Sequence, residues 1–197
     1  MKRQCVNGWR GRESGAERPR KETCFVNIRD AKPEDGLAIA RVQVTSWQET
    51  YSGIVPQDYL NQLGIEERGA RWTERLLEPG HVILVAEDED GVFGFAAGGT
   101  VMHPVDGYDA ELVGLYLLRS HHREGMGRAL VHAFAAKLKP RGFQSMVVWA
   151  LRENPACGFY ERMGGVRVAE KTIEVGGAEL PEVAFGWKDL EALCSGS

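Results

Sequence analysis

Residues 111–131 read ELVGLYLLRSHHREGMGRALV, and the reading of this stretch decides the fold. Leu112 to Leu118 is an apolar run of strand length, rich in aliphatics. Charged residues from Arg119 to Glu124 break it, and Gly125 and Gly127 follow. Apolar residues then recur at Met126, Ala129, Leu130, Ala133, Phe134 and Leu138, the period of an amphipathic helix. The order is therefore strand, glycine-bearing turn, helix. Such a turn gathers the unpaired N–H groups and the positive dipole end of the helix at one point. Glycine lets a ligand approach that backbone closely, so the natural guest is a phosphate or pyrophosphate. The plainer alternative is a tight connection that binds nothing.

A P-loop needs Lys-Ser or Lys-Thr after its glycines, and neither is present. A dinucleotide fingerprint needs a third glycine where Leu130 stands. The stretch instead resembles the acyl-CoA-binding motif of the GNAT superfamily of N-acyltransferases, [QR]-x-x-G-x-[GA]. Here it reads His122-Arg123-Glu124-Gly125-Met126-Gly127, with His122 in the place of Gln or Arg and with Arg123 and Arg128 adding positive charge. A second block, Asn154-Pro155-Ala156-Cys157-Gly158-Phe159-Tyr160-Glu161-Arg162-Met163-Gly164, is similar to the helix that lies beside the acyl-CoA in that superfamily. The opening (Ile28-Arg29-Asp30, Asp35, Ser46-Trp47, Tyr51) and the ending (Gly176 to Val183) resemble members too, so the likeness spans Cys24 to Leu190.

Outward from the central stretch, Cys24 to Arg29 alternates as a first strand. Pro33, Glu34 and Asp35 suit the start of a helix whose Leu37, Ala40, Val44, Trp47 and Tyr51 are predicted to share one face. Short helices are predicted over 56–63 and 65–77. Strands follow over 81–87 and 92–101, joined by the acidic run 87–91, which reads as a solvated hairpin turn rather than a metal site. After the loop 102–109, the central strand and its helix, another buried strand is predicted over 143–151. Asn154 then caps a helix with Pro155 at its first position, carrying Ala156, Phe159, Tyr160 and Met163 on its apolar stripe. Residues 166–175 and 179–190 make a closing hairpin. Hairpins followed by strand–helix–strand units predict an α/β fold, a mixed sheet of six or seven strands with helices on both faces. This is also the layout the GNAT resemblance implies.

At 197 residues the chain is long enough for one well-buried domain. Residues 1–23 hold seven Lys and Arg against three Glu and few apolar groups, the composition of a disordered leader. The domain is expected over 24–190, with a tail over 191–197. A net charge of −4 gives no reason to expect nucleic acid. No apolar run approaches the length of a membrane span, so no membrane partner is expected. Cys5, Cys24, Cys157 and Cys194 lack metal-ligand or C-x-x-C spacing, which reads as reduced thiols in a cytoplasmic protein. His121 and His122 lack further ligands at metal spacing, so no metal is expected.

What the resemblance implies is an N-acetyltransferase that uses acetyl-CoA as co-substrate and acts on a primary amine, of a small molecule or a peptide N-terminus, within a ternary complex. An acyl-CoA-binding sensor of the same fold without turnover is the alternative, and dimerisation is common in the family. Backbone groups of Leu115, Tyr116 and Leu117 would pair with the pantetheine arm, and Asn154 would add a hydrogen bond. His122, Arg123, Glu124, Gly125, Met126, Gly127 and Arg128 would hold the pyrophosphate. Trp47 and Tyr51 would shape the acceptor pocket, although an aromatic stripe at helical spacing also suits plain core packing. A primary amine at pH 7 lies about 3.4 units below its pKa, roughly 4.6 kcal/mol from its free base, so a proton acceptor helps. Glu111, at the head of the central strand, is the candidate base, acting through water; a strand-edge surface carboxylate is the plainer reading. Tyr160 is the candidate acid for the leaving thiolate, and packing in the core is its plainer role. His103 reads as a solvated loop histidine that could line the acceptor pocket.

Overall fold

The computed structural model describes residues 26–194. Its strands are β1 (Asn27–Asp30), β2 (Val82–Asp88), β3 (Gly91–Thr100), β4 (Ala110–Leu117), β5 (Met146–Leu151), β6 (Val166–Val175) and β7 (Ala178–Trp187). They form one sheet in the order β1-β2-β3-β4-β5-β7-β6. Every neighbouring pair is antiparallel except β4 with β5, which is parallel. That exception follows from the connection: a helix must carry the chain back across the sheet before a parallel strand can form.

The connecting helix is α4 (Met126–Leu138), and its apolar stripe covers one face of the sheet. Leu130, Val131, Phe134 and Leu138 pack there with Leu84, Phe93, Leu112, Met146 and Phe185. Each such large side chain, essentially solvent-free, contributes roughly 2 kcal/mol relative to exposure. On the same face lies α5 (Cys157–Arg162), through Cys157 and Tyr160, and so does α6 (Leu190–Cys194), through Leu190 and Leu193. The other face of β2 and β3 is covered by α1 (Gly36–Thr50) and α3 (Ile65–Leu77), with Ile39, Val42, Trp72 and Leu76 against Val85 and Phe95. A short α2 (Gln57–Asn61) brings Leu60 against Tyr51, Leu151 and Val175.

Several expectations shift. The leader, together with Cys24 and Phe25 of the first strand, lies outside the described residues. The predicted apolar face of α1 is buried at Ala40, Val44 and Tyr51 but not at Leu37, which is 47% exposed, and Ile39 and Val42 are buried besides. The reason is that α1 lies between two layers, so it buries residues toward α3 as well as toward the sheet. A Cβ on Gly36 would fall 2.8 Å from the Gly69 carbonyl, so the two helices meet backbone to backbone at glycine. The closing strand ends at Trp187 rather than at Leu190. The segment set apart as a tail from 191 begins within α6, whose Leu190 and Leu193 are buried in the core, while residues 195–197 lie outside the described residues.

Candidate active site

The parallel pair at the centre of the sheet is barely a pair. Only Ala110↔Met146 and Glu111↔Val147 are in register, after which β4 continues to Leu117 and β5 to Leu151 without pairing. Backbone hydrogen-bonding groups are obligatory partners, so an unpaired inner edge is a place for an extended guest to bind as a partial strand. A bulge sits beside the parting. Ala97 pairs with Gly114 and Gly98 with Leu112, which leaves Val113 as the extra residue of β4. The partner strand has no room there: a Cβ on Gly98 would fall 2.0 Å from the Glu111 carbonyl oxygen. Leu115 and Tyr116 follow the bulge on the open edge. The Leu117 carbonyl accepts from Ser46 Oγ at 3.1 Å and from His122 Nε2 at 3.1 Å.

At the end of β4 the chain turns into α4 through Gly125, whose φ of +84° is the left-handed region that glycine adopts without strain. The first bond of the helix runs from Ala129 N–H to the Gly125 carbonyl at 3.0 Å, so the amides of Met126, Gly127 and Arg128 precede the helical ladder. Gly127 serves packing as well, since a Cβ there would touch the Phe159 ring at 3.5 Å. His122, Arg123, Glu124, Gly125 and Arg128 are exposed around this end. Arg123 has φ 65°, a left-handed conformation uncommon outside glycine.

His121 anchors the turn. Its ring stacks on Phe93 with centroids 4.0 Å apart, and Nε2 lies 3.0 Å from Asp88 Oδ2. The acidic run makes the expected hairpin turn, exposed at Glu89, Asp90 and Gly91, but its first two carboxylates are engaged by neighbours. The Asp88 side chain is only 6% exposed, and Glu87 accepts from Arg29 at 2.7 Å. His121 and His122 point to different partners, a carboxylate and a backbone carbonyl.

Aromatic residues converge on the other side of the parting. Trp47 Nε1 donates to the Tyr116 hydroxyl at 3.0 Å, and Asn154 Nδ2 donates to the Tyr51 hydroxyl at 2.9 Å. Trp47 and Tyr51 stack edge to face at 4.9 Å. Asn154 Oδ1 accepts from Ala156 N–H at 2.8 Å, so it caps a turn ahead of α5, and the helix proper begins at Cys157. Tyr160 is 4% exposed among Phe159, Phe185 and Trp187. Burial pushes its hydroxyl pKa up, with the neighbouring Tyr116 adding to the shift, so the phenol keeps its proton. Burial does the same for Tyr51, with Tyr116 and Tyr160 next in order. The site residues from α1, β4 and α5 therefore stand together as one group. Tyr116 joins through its hydroxyl, a relation between α1 and β4 that no local residue pattern records.

Glu111 is not a surface carboxylate, because its side chain is 2% exposed. Oε2 accepts from Met102 N–H and His103 N–H, each at 2.8 Å, and Oε1 lies 2.8 Å from His103 Nδ1. On the α1–α3 side of the bulge, Gln43, Trp72, Met102, Val113 and Gly114 line a cleft of about 370 Å³.

Known proteins share this fold. The family model for the acetyltransferase (GNAT) family matches residues 42–165. An uncharacterised N-acetyltransferase of Bacillus subtilis (strain 168), YuaI, is 46% identical over 170 residues, covering 86% of this chain and 96% of YuaI. Among solved structures, the PaiA N-acetyltransferase of Thermoplasma acidophilum in complex with coenzyme A superposes with a TM-score of 0.61 at 20% identity, over 83% of this chain and 99% of its own. The structure of yncA from Salmonella typhimurium with acetyl-CoA does so at 0.64 and 23%, over 83% and 94%. The chain belongs to the GNAT family of acetyltransferases and is an acyltransferase by descent.

Proposed function

We propose that the protein transfers the acetyl group of acetyl-CoA to a primary amine, of a small molecule or a peptide N-terminus, by direct attack within a ternary complex. The observation that carries this reading is the parting of β4 from β5 beside the exposed start of α4. In this reading the pantetheine arm lies along Leu115, Tyr116 and Leu117 as a partial strand, with Asn154 on its far bank. The pyrophosphate meets the amides of Met126, Gly127 and Arg128, where the helix dipole favours negative charge and His122, Arg123 and Arg128 stand nearby. Coenzyme A in the PaiA structure and acetyl-CoA in the yncA structure support the choice of donor.

The acceptor amine comes from the face of the sheet that carries Trp47 and Tyr51. One proton leaves toward Glu111 through intervening groups, the nitrogen attacks the thioester carbon, the C–N bond forms and the C–S bond breaks. Tyr160, held protonated by burial, hands its proton to the departing thiolate and is reprotonated by the excess proton left on the attacking nitrogen. Release of free coenzyme A thiol from acetyl-CoA, measured against a panel of amines with mass detection of the product, tests the proposal. Thermal stabilisation by acetyl-CoA without thiol release by any amine would favour a sensor of the same fold instead.

A further inference from the structure

Glu111 cannot itself meet an amine. Its carboxylate is enclosed, and both oxygens are engaged by the loop that follows β3. The solvent-facing parts of that hydrogen-bonded group are Met102, which is apolar, and the His103 ring, whose side chain is 52% exposed. Since the carboxylate accepts, the hydrogen of the contact belongs to Nδ1, and Nε2 is left with a lone pair. A carboxylate behind one ring nitrogen fixes the tautomer and stabilises the imidazolium that forms when the other nitrogen takes a proton. Among the described residues, Glu111 is the charged group hydrogen-bonded to this imidazole. Position agrees: Val113, the bulged residue, is two residues along β4 from Glu111, roughly 7 Å at the rise of a strand. Met102, adjacent to His103, lines the cleft at that bulge.

Resting on the acetyltransferase reading, the geometry points to His103 as the residue that takes the proton of the acceptor amine, with Glu111 as its positioning residue. The ammonium gives one proton to Nε2, and Nδ1 keeps its hydrogen toward Glu111. The neutral amine attacks the carbonyl carbon, the C–N bond forms and the C–S bond breaks. The remaining excess proton on nitrogen passes to the thiolate through Tyr160, and the imidazolium returns its proton to water.

Two measurements test this. Long-range ¹H–¹⁵N spectra of the purified protein at alkaline pH should show His103 as the Nδ1–H tautomer, and that preference should be lost in Glu111→Gln. An Nε2–H tautomer in the wild type overturns the assignment, whatever the activity. With an amine the wild type acetylates, His103→Gln should lower kcat about 10²-fold, with the KM for acetyl-CoA unchanged. It should also abolish the acid limb of the kcat/KM profile, and imidazole added to His103→Ala should restore part of the rate. An unchanged profile in His103→Gln overturns the role of His103 and leaves the acetyltransferase reading standing. If the wild type acetylates no amine, both readings fail together.

Discussion

Asn154 follows β5 and Tyr51 ends α1, and the Asn154 amide donates to the Tyr51 hydroxyl across 2.9 Å and 103 residues of chain. The same side chain accepts from Ala156 N–H. Its two ends thus fasten the aromatic bank to the turn before α5. Asn154→Asp keeps the acceptor and loses the donor, whereas Asn154→Ala loses both. We expect losses of about 1 kcal/mol and about 2 kcal/mol respectively in urea unfolding, with a raised KM for acetyl-CoA in both. Equal losses would mean that the contact with Ala156 N–H contributes nothing, and no loss in Asn154→Asp would mean the same of the contact with Tyr51.

Tyr160→Phe removes a hydroxyl and almost no volume. On the proposed mechanism kcat falls about 10-fold to 100-fold while acetyl-CoA affinity holds, as thiol release and calorimetry would report. The variant also tests burial. A phenol whose folded pKa is raised above its unfolded value near 10 adds stability that is complete below that value and is lost as the pH climbs past it. The Phe variant should therefore lose less stability than the wild type between neutral and strongly alkaline pH.

Arg29 joins β1 to the start of α1 and the end of β2, donating to Asp35 at 2.7 Å and to Glu87 at 2.7 Å. Its guanidinium holds both carboxyls below their ordinary range. The stability this supplies is present above the unfolded carboxylate pKa near 4 and is lost as the pH falls through the lowered values. Arg29→Met should cost about 2 kcal/mol at pH 7, since it strands the nearly buried Asp35. Its stability should then fall less steeply than that of the wild type below pH 4. Parallel acid-unfolding curves would contradict this.

Gly125 leaves open space where a Cβ would be, yet its backbone lies in the left-handed region. Gly125→Ala therefore meets no neighbour and costs about 1 kcal/mol through conformation alone. In the proposed function it also disturbs the amides facing the pyrophosphate. Calorimetry should show acetyl-CoA bound several-fold more weakly, with dephosphorylated fragments such as pantetheine unaffected.

The strand–turn–helix from Leu112 to Leu138 was legible because hydrophobic period and turn chemistry are local, and both change together at Gly125. The α5 block was legible for the same reason. Relations between distant segments were not. Asp88 reads as one more carboxylate in a turn because His121, its partner, lies in the turn beyond β4. Glu111 reads as a strand-edge residue because only the path of the loop after β3 brings the 102 and 103 amides onto it. Leu37 was misplaced because a single helical stripe presumes one buried side, and α1 has two. Residue spacing records what an element is; what a side chain meets is decided by how the layers close.

Two rungs, Ala110–Met146 and Glu111–Val147, rivet a four-strand half-sheet to a three-strand one. Beyond Glu111 no further rung joins β4 to β5. A thioester arm laid into the gap would be a structural member as well as a reactant, lending the sheet the ladder it lacks. The acceptor's cleft would then be finished only after the donor is seated, which sets the order of arrival: donor first, amine second.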